Sequence, residues 1–267
     1  MKKYLNVLLV IVLLTSVIIT GCQPKTGNDK VIIVGATPEP HGEMLNLIKE
    51  DLEKEGYELQ IIEFTDYVKP NFAVAQKELD ANFFQHLPYL LEFNEKNKLD
   101  LVSLGNVHIE PMGLYSNKFS DINELKDGAT IAIPNDTVNG GRALNLLEDK
   151  GFIKLKEGVG LNATENDIVE NPKNLIIKPL EAALLPRTLD EVDAALINGN
   201  YAIQANLSAA KDAILLERSD SPFANIVAVR KGEESSPKLK ALLKALQSEK
   251  IKAFIQEKYE GGVIPSF

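Results

Sequence analysis

The feature that most limits what this chain can fold into is a regular alternation of two patterns. Short apolar, β-branched runs such as "VIIVGA" (31–36) and "ATIAIPN" (129–135) alternate with amphipathic stretches such as "PHGEMLNLIKEDLEKEG" (40–56). In the latter, Met44, Ile48 and Leu52 recur four apart and Leu45 stands three before Ile48, which predicts a helix with one buried face, ended by Gly56. "YELQIIEF" and "KPNFAVAQKELD" repeat the pair, as do "DINELKDG", "ATIAIPN" and "GGRALNLLEDKG" further on. "NLIIKPL", "VDAALIN" and "NIVAVRKG" read as strands. The C-terminal "SSPKLKALLKALQSEKIKAFIQEKY" reads as helix, with Ser236 as N-cap, Pro237 at the first position, and Leu239, Leu242, Leu243 and Leu246 as its buried stripe. Such alternation predicts an α/β fold with mostly parallel sheets flanked by helices. The length is comfortable for two lobes whose strand ends surround a shared cleft. A single larger doubly wound domain is the alternative.

The first residues have the layout of a secretory leader: Lys2 and Lys3, an apolar run, then small residues before Cys22. An uncleaved anchor is the alternative, because the run approaches membrane-spanning length. "ITGC" (19–22) resembles the bacterial lipobox, whose cysteine is lipidated. Cys22 is the only cysteine, so no intramolecular disulfide can form, and acylation accounts for its presence. The expected organisation is a leader at 1–21, a flexible tether at 22–29, a first lobe from 30–113 and 226–267, and a second lobe at 114–225. A formal net charge of −9 without any basic block argues against nucleic acid as a partner.

In "DANFFQHLPYLLEFN" (80–94), Phe84 and His86 are two apart and face one side of an extended segment. Pro88 then opens a helix that carries Tyr89 back over them, while Phe83 points the other way, into the core. Core packing is the alternative for the whole cluster. Catalytic signatures are missing. There is no G-x-S-x-G elbow, "NGGR" lacks the lysine and hydroxyl of a phosphate loop, and the histidines form no H-E-x-x-H pattern. His41, His86 and His108 together remain a possible zinc-capturing set, and a surface-anchored hydrolase is a weaker alternative still. In "DTVNGGRALNLLE", Asn139 is the expected N-cap, Gly140 and Gly141 leave first-turn N–H groups open, and Arg142 lies beside them. Together these make a receptor for a carboxylate. The competing reading is an arginine paired with Glu148 or another acid.

"FTDYVKPN", "DANFFQHLPYL", "IPNDTVNGGRAL", "ALINGNYA" and "DSPFANIVAVR", in that order from the lipobox to the closing "GGVIPSF", resemble the NlpA lipoprotein family, the methionine-binding lipoproteins of bacterial ABC importers. The resemblance implies a two-lobed solute-binding fold of the periplasmic-binding-protein type, without a catalytic step or cofactor. Such a protein would be anchored by lipid on Cys22 at the extracytoplasmic membrane face and would deliver methionine to an ABC permease and its ATPase. The L or D form, or a methionine-containing dipeptide, fits this expectation. By the same resemblance Tyr67, Phe84, His86 and Tyr89 line the side-chain pocket, Arg142 holds the carboxylate, and Asn198 and Asn225 bind the polar head. An aromatic wall suits a thioether, since each sulfur–aromatic contact contributes roughly 0.3–1.5 kcal/mol.

Overall fold

A computed structural model of the chain describes residues 29–218 and 220–267. The expected leader, Cys22 and the tether up to residue 28 lie outside the described residues. Along the chain run β1 (Val31–Ala36), α1 (Glu43–Leu47), α2 (Lys49–Lys54), β2 (Glu58–Glu63), α3 (Lys69–Ala75), β3 (Ala81–His86), α4 (Leu87–Asn97) and β4 (Leu101–Ile109). There follow β5 (Gly113–Tyr115), β6 (Thr130–Pro134), α5 (Thr137–Asp149), β7 (Lys154–Leu155), β8 (Ile168–Glu170), β9 (Ile176–Leu180), β10 (Ala194–Ile197), α6 (Gly199–Gln204) and β11 (Leu215–Leu216). The chain closes with β12 (Ala224–Arg230), α7 (Pro237–Leu246), α8 (Glu249–Tyr259) and β13 (Ile264–Pro265). Among the described residues no helix is long and apolar enough to cross a membrane.

The strands form two main sheets, one of order β13-β4-β12-β3-β1-β2 and one of order β11-β5-β10-β6-β9. Each contains the parallel block that the alternation predicts, β3-β1-β2 in the first and β10-β6-β9 in the second. Each is completed by antiparallel strands, so both sheets are mixed and not parallel throughout. The reason is the path of the chain, which passes to the second sheet after β4 and returns as β12 between β3 and β4. The connections are residues 110–112 and 217–223. The expected boundaries 113/114 and 225/226 fall just beside these connections, within β5 and β12.

Packing follows the apolar pattern closely. Met44, Leu45, Ile48 and Leu52 are fully buried against β1, β12 and the C-terminal helices, together with Phe83. The predicted single helix is broken at Ile48 (φ −91°, ψ 0°), giving α1 and α2 without disturbing that face. Leu239, Leu242 and Leu246 are buried in α7 and Leu243 half-buried. Ser236 makes no side-chain cap, whereas Ser248 caps α8. "DINELKDG" keeps only one turn of 3-10 helix, Ile122–Glu124, closed by an Asp121–Glu124 capping box.

The segment around Arg142 differs from its sequence reading. Asp136, not Asn139, is the N-cap of α5, and its carboxylate accepts the Asn139 N–H at 2.9 Å. The N–H of Gly140 is already given to the Asp136 carbonyl at 2.8 Å. Arg142 therefore sits in the second turn, away from the open N-terminal N–H groups. The two glycines serve close packing: a Cβ at Gly140 would lie 2.8 Å from the Pro134 carbonyl oxygen, and one at Gly141 2.2 Å from that of Leu161. Gly141→Ala should accordingly destabilise the protein by about 1–3 kcal/mol, the usual range for an overpacked interior. Urea denaturation checks this, and an unchanged midpoint would mean that the Leu161 segment does not press on α5.

Candidate functional site

The end of β3 and the start of α4 build one wall. His86 is the N-cap of α4, and its Nδ1 accepts the Tyr89 N–H at 3.2 Å. That bond leaves the ring proton on Nε2, which faces the Asn139 Oδ1 at 3.2 Å. Phe84 and Tyr89 have ring centroids 6.2 Å apart, and Tyr67, ahead of α3, lies 5.7 Å from Phe84 and 5.9 Å from Tyr89. Tyr201, from α6 of the second sheet, faces Tyr67 at 4.9 Å. The wall is pinned by hydroxyls: Tyr89 donates to the Tyr67 carbonyl at 3.0 Å, Tyr201 to the Thr65 carbonyl at 3.2 Å, and Tyr67 to the Asn200 Oδ1 at 2.5 Å. Burial pushes the Tyr67 and Tyr89 phenols well above their ordinary pKa, so they act as neutral groups.

The opposite end is polar and comes from both sheets. Arg142, Asn139, Asn198, Asn200, Glu110 and Asn225 meet the aromatic wall around a common cavity. Asn198 donates through Nδ2 to the Asn139 Oδ1 at 2.9 Å. Its own Oδ1 and the Nδ2 of Asn200 are buried without a hydrogen-bond partner among the described residues. One free acceptor and one free donor, both buried, are what a ligand with both kinds of group would satisfy. A Cβ at Gly199 would lie 2.6 Å from that of Glu110, so glycine between the two asparagines admits this carboxylate.

All seven candidate ligand-binding residues read from sequence lie along this cavity, and its lining also includes five that the reading missed as site residues: Gln85, Glu110, Asn139, Gly199 and Asn200. Asn200 had a signal, being the second asparagine of "INGN". Glu110 had none, because it lies in a connection with no period. Arg142 is 3% exposed and pairs with Glu217, not Glu148; the latter accepts the Leu155 N–H. Glu217 takes the Nε at 2.9 Å and Nη2 at 2.5 Å.

The three histidines do not form one set. His41 and His108 adjoin Glu110, whose Oε1 lies 3.3 Å and 2.7 Å from their Nε2 atoms, whereas His86 sits with Asn139. His41 is also held by Thr37 at 2.7 Å and by the Asn225 Oδ1 at 3.2 Å. His108 thus meets the carboxylate at direct hydrogen-bond distance, while the Nε2 hydrogen bond of His41 goes to Asn225. The grouping weighed as a zinc site is therefore divided. Burial lowers the pKa of His41 to about 4 and of His108 to about 3. His86 falls to about 3, from burial first and the Arg142 charge second. Burial raises the pKa of Glu110, against the opposing pull of His41, the Asn200 N–H and Arg142.

These shifts set a pH dependence. The histidines are neutral when folded, with ordinary values of 6.5. As pH falls below that value the unfolded chain takes up protons that the folded chain refuses, so stability declines toward pH 4. Glu110 and Asp136, whose pKa values are raised, act in the opposite sense and soften the decline. His86→Gln removes one of the three, so between about pH 7 and about pH 5 the unliganded wild type should lose on the order of 2 kcal/mol more stability than the variant. Urea titrations at each pH test this, and equal losses would mean that His86 is charged in the folded protein.

Comparison with known proteins agrees with this architecture. Residues 32–267 match the profile of the NlpA lipoprotein family. The methionine-binding lipoprotein MetQ of Bacillus subtilis (strain 168) is 44% identical over 272 residues, covering 99% of this chain and 98% of that protein. The membrane lipoprotein TpN32 of Treponema pallidum is 44% identical over 236 residues, 88% of each. Among solved structures, a nutrient-binding protein from Burkholderia cenocepacia bound to methionine superposes with a TM-score of 0.86 at 48% identity, over 88% of this chain and 100% of that one. With the profile spanning both sheets and relatives this similar along nearly their whole length, the chain belongs to the NlpA lipoprotein family.

Proposed function

We propose that this protein captures methionine in the cavity between its two sheets and delivers it to an ABC permease and its ATPase, without a catalytic step. The observation that carries the reading is the meeting of an aromatic slot with a buried polar end that holds an unpartnered acceptor, an unpartnered donor, a guanidinium and a carboxylate. A zwitterionic amino acid needs opposite charges fixed at one end. Arg142 and the Asn200 Nδ2 would receive its α-carboxylate, while Glu110 and the Asn198 Oδ1 would receive its ammonium. Asn225, bonded to His41 beside Glu110, completes the polar end. Tyr67, Phe84, His86 and Tyr89 would enclose the thioether. Relatives named for methionine or D-methionine binding support the ligand, and the family's description as lipoproteins supports an anchor on Cys22 at the extracytoplasmic face.

Calorimetric titration of the delipidated, ligand-stripped protein tests the ligand. Methionine should bind far better than alanine, which forfeits about 1.5–3 kcal/mol of apolar burial, or glutamate, whose second carboxylate finds no partner in the slot. Norleucine, lacking only the sulfur, should follow by a modest factor. Phe84→Ala and Tyr89→Ala should narrow the preference for methionine over alanine. A wild type that prefers alanine or glutamate, or a preference untouched by both substitutions, would make the aromatic cluster core alone. Running L-methionine, D-methionine and a methionine dipeptide side by side identifies which form the site takes.

The anchor has its own test. Cys22→Ala removes the acceptor thiol, so the variant should leave the membrane fraction or accumulate as precursor while binding methionine normally. Mature wild-type protein without a lipid adduct in its mass spectrum would rule the anchor out.

A further inference from the structure

We propose that Glu217 is a positioning residue for ligand binding: it holds Arg142 so that one end of the guanidinium is presented to the ligand's carboxylate, and it stays in place when the ligand arrives. The inference rests on the reading of the cavity as an amino-acid site. Glu217 occupies the Nε–Nη2 edge of the guanidinium with both oxygens, at 2.9 Å and 2.5 Å. The second Nη2 proton goes to the Glu110 carbonyl at 2.9 Å. The Phe223 ring lies against the guanidinium, 4.2 Å from its carbon to the ring centroid. A guanidinium has five N–H donors, and these contacts use the three on Nε and Nη2. Among the described residues no partner is recorded for Nη1. A carboxylate can therefore be met through Nη1 without displacing Glu217.

The surroundings of Glu217 argue that it is fixed. Its Oε2 also accepts the Met112 N–H at 3.3 Å, and its side chain is 11% exposed. It is thereby tied to the first connection between the sheets while itself belonging to the second. Expelling it would strand a buried carboxylate and open a main-chain N–H as well. A free arginine side chain is rotamer-rich, and holding it in advance reduces the entropy lost on binding.

The competing possibility is that Glu217 is a counter-ion that the ligand's carboxylate displaces. The two make opposite predictions. Methionine and methioninamide, whose carboxylate is replaced by a neutral amide, are titrated against wild type, Glu217→Ala, Glu217→Gln, Arg142→Ala and the double alanine variant. For a positioning residue, Glu217→Ala should weaken methionine by tenfold or more and methioninamide much less, so discrimination between them falls. Glu217→Gln, which keeps the shape and one acceptor, should fall between wild type and alanine. In the Arg142→Ala background, adding Glu217→Ala should change methionine affinity little. The double variant also removes both buried charges, so the comparison survives if a single variant folds poorly. Tighter methionine binding by Glu217→Gln would show a displaced counter-ion and overturn the proposal. Equal losses for both ligands in both backgrounds would show a merely structural role and overturn it too. Wild type that binds no methionine would instead remove the amino-acid reading on which the proposal stands.

Discussion

Arg142 is a cation taken almost wholly out of water, and a buried charge costs several kcal/mol unless its partners are close and well oriented. The arrangement around it meets that demand from three parts of the chain: Glu217 and Phe223 from one connection, the Glu110 carbonyl from the other, and the α5 helix that carries the arginine. Both passages between the sheets are thus fixed to the same guanidinium. Gly140 and Gly141 let α5 press against Pro134 and Leu161 closely enough to bring the arginine there. The position of the cavity between the sheets follows from this convergence.

The histidines illustrate how one residue type serves two purposes in a small space. His86 starts α4 by accepting a main-chain N–H and presents its remaining proton to Asn139. His108 donates to one oxygen of Glu110, which His41 also adjoins while bonding to Asn225. None gains by being charged, since burial outweighs every favourable neighbour. They act as fixed dipoles that hold a carboxylate and an amide in place.

What could be read from the sequence was whatever local periodicity controls. Phe84, His86 and Tyr89 fall on one side because strand alternation and a proline-started helix leave little choice, and the same alternation sends Phe83 into the core. Asn225 was legible only through resemblance, because its place depends on register: β12 pairs it with His86 on one side and His108 on the other. The cap of α5 was misplaced by three residues because Asp136 and Asn139 are both good caps, and only the fold decides between them. Glu110 and Glu217 lie in the connections, where no repeating pattern marks a residue as buried, and their pairing joins positions far apart in the chain.

The place of β12 has a consequence for how such a chain comes into being. β12 fills the gap between β3 and β4, yet it follows every strand of the second sheet in the chain. Until residue 224 is available, β3 and β4 lack the strand that joins them, and the first sheet remains in two pieces. Contacts of such long sequence separation form slowly, because the intervening loop must be closed before they are rewarded. The first sheet is therefore the later of the two to be joined, once residues 224–230 have been made. The second sheet, all of whose strands precede β12 in the chain, can thus be complete while the first still waits for its central strand.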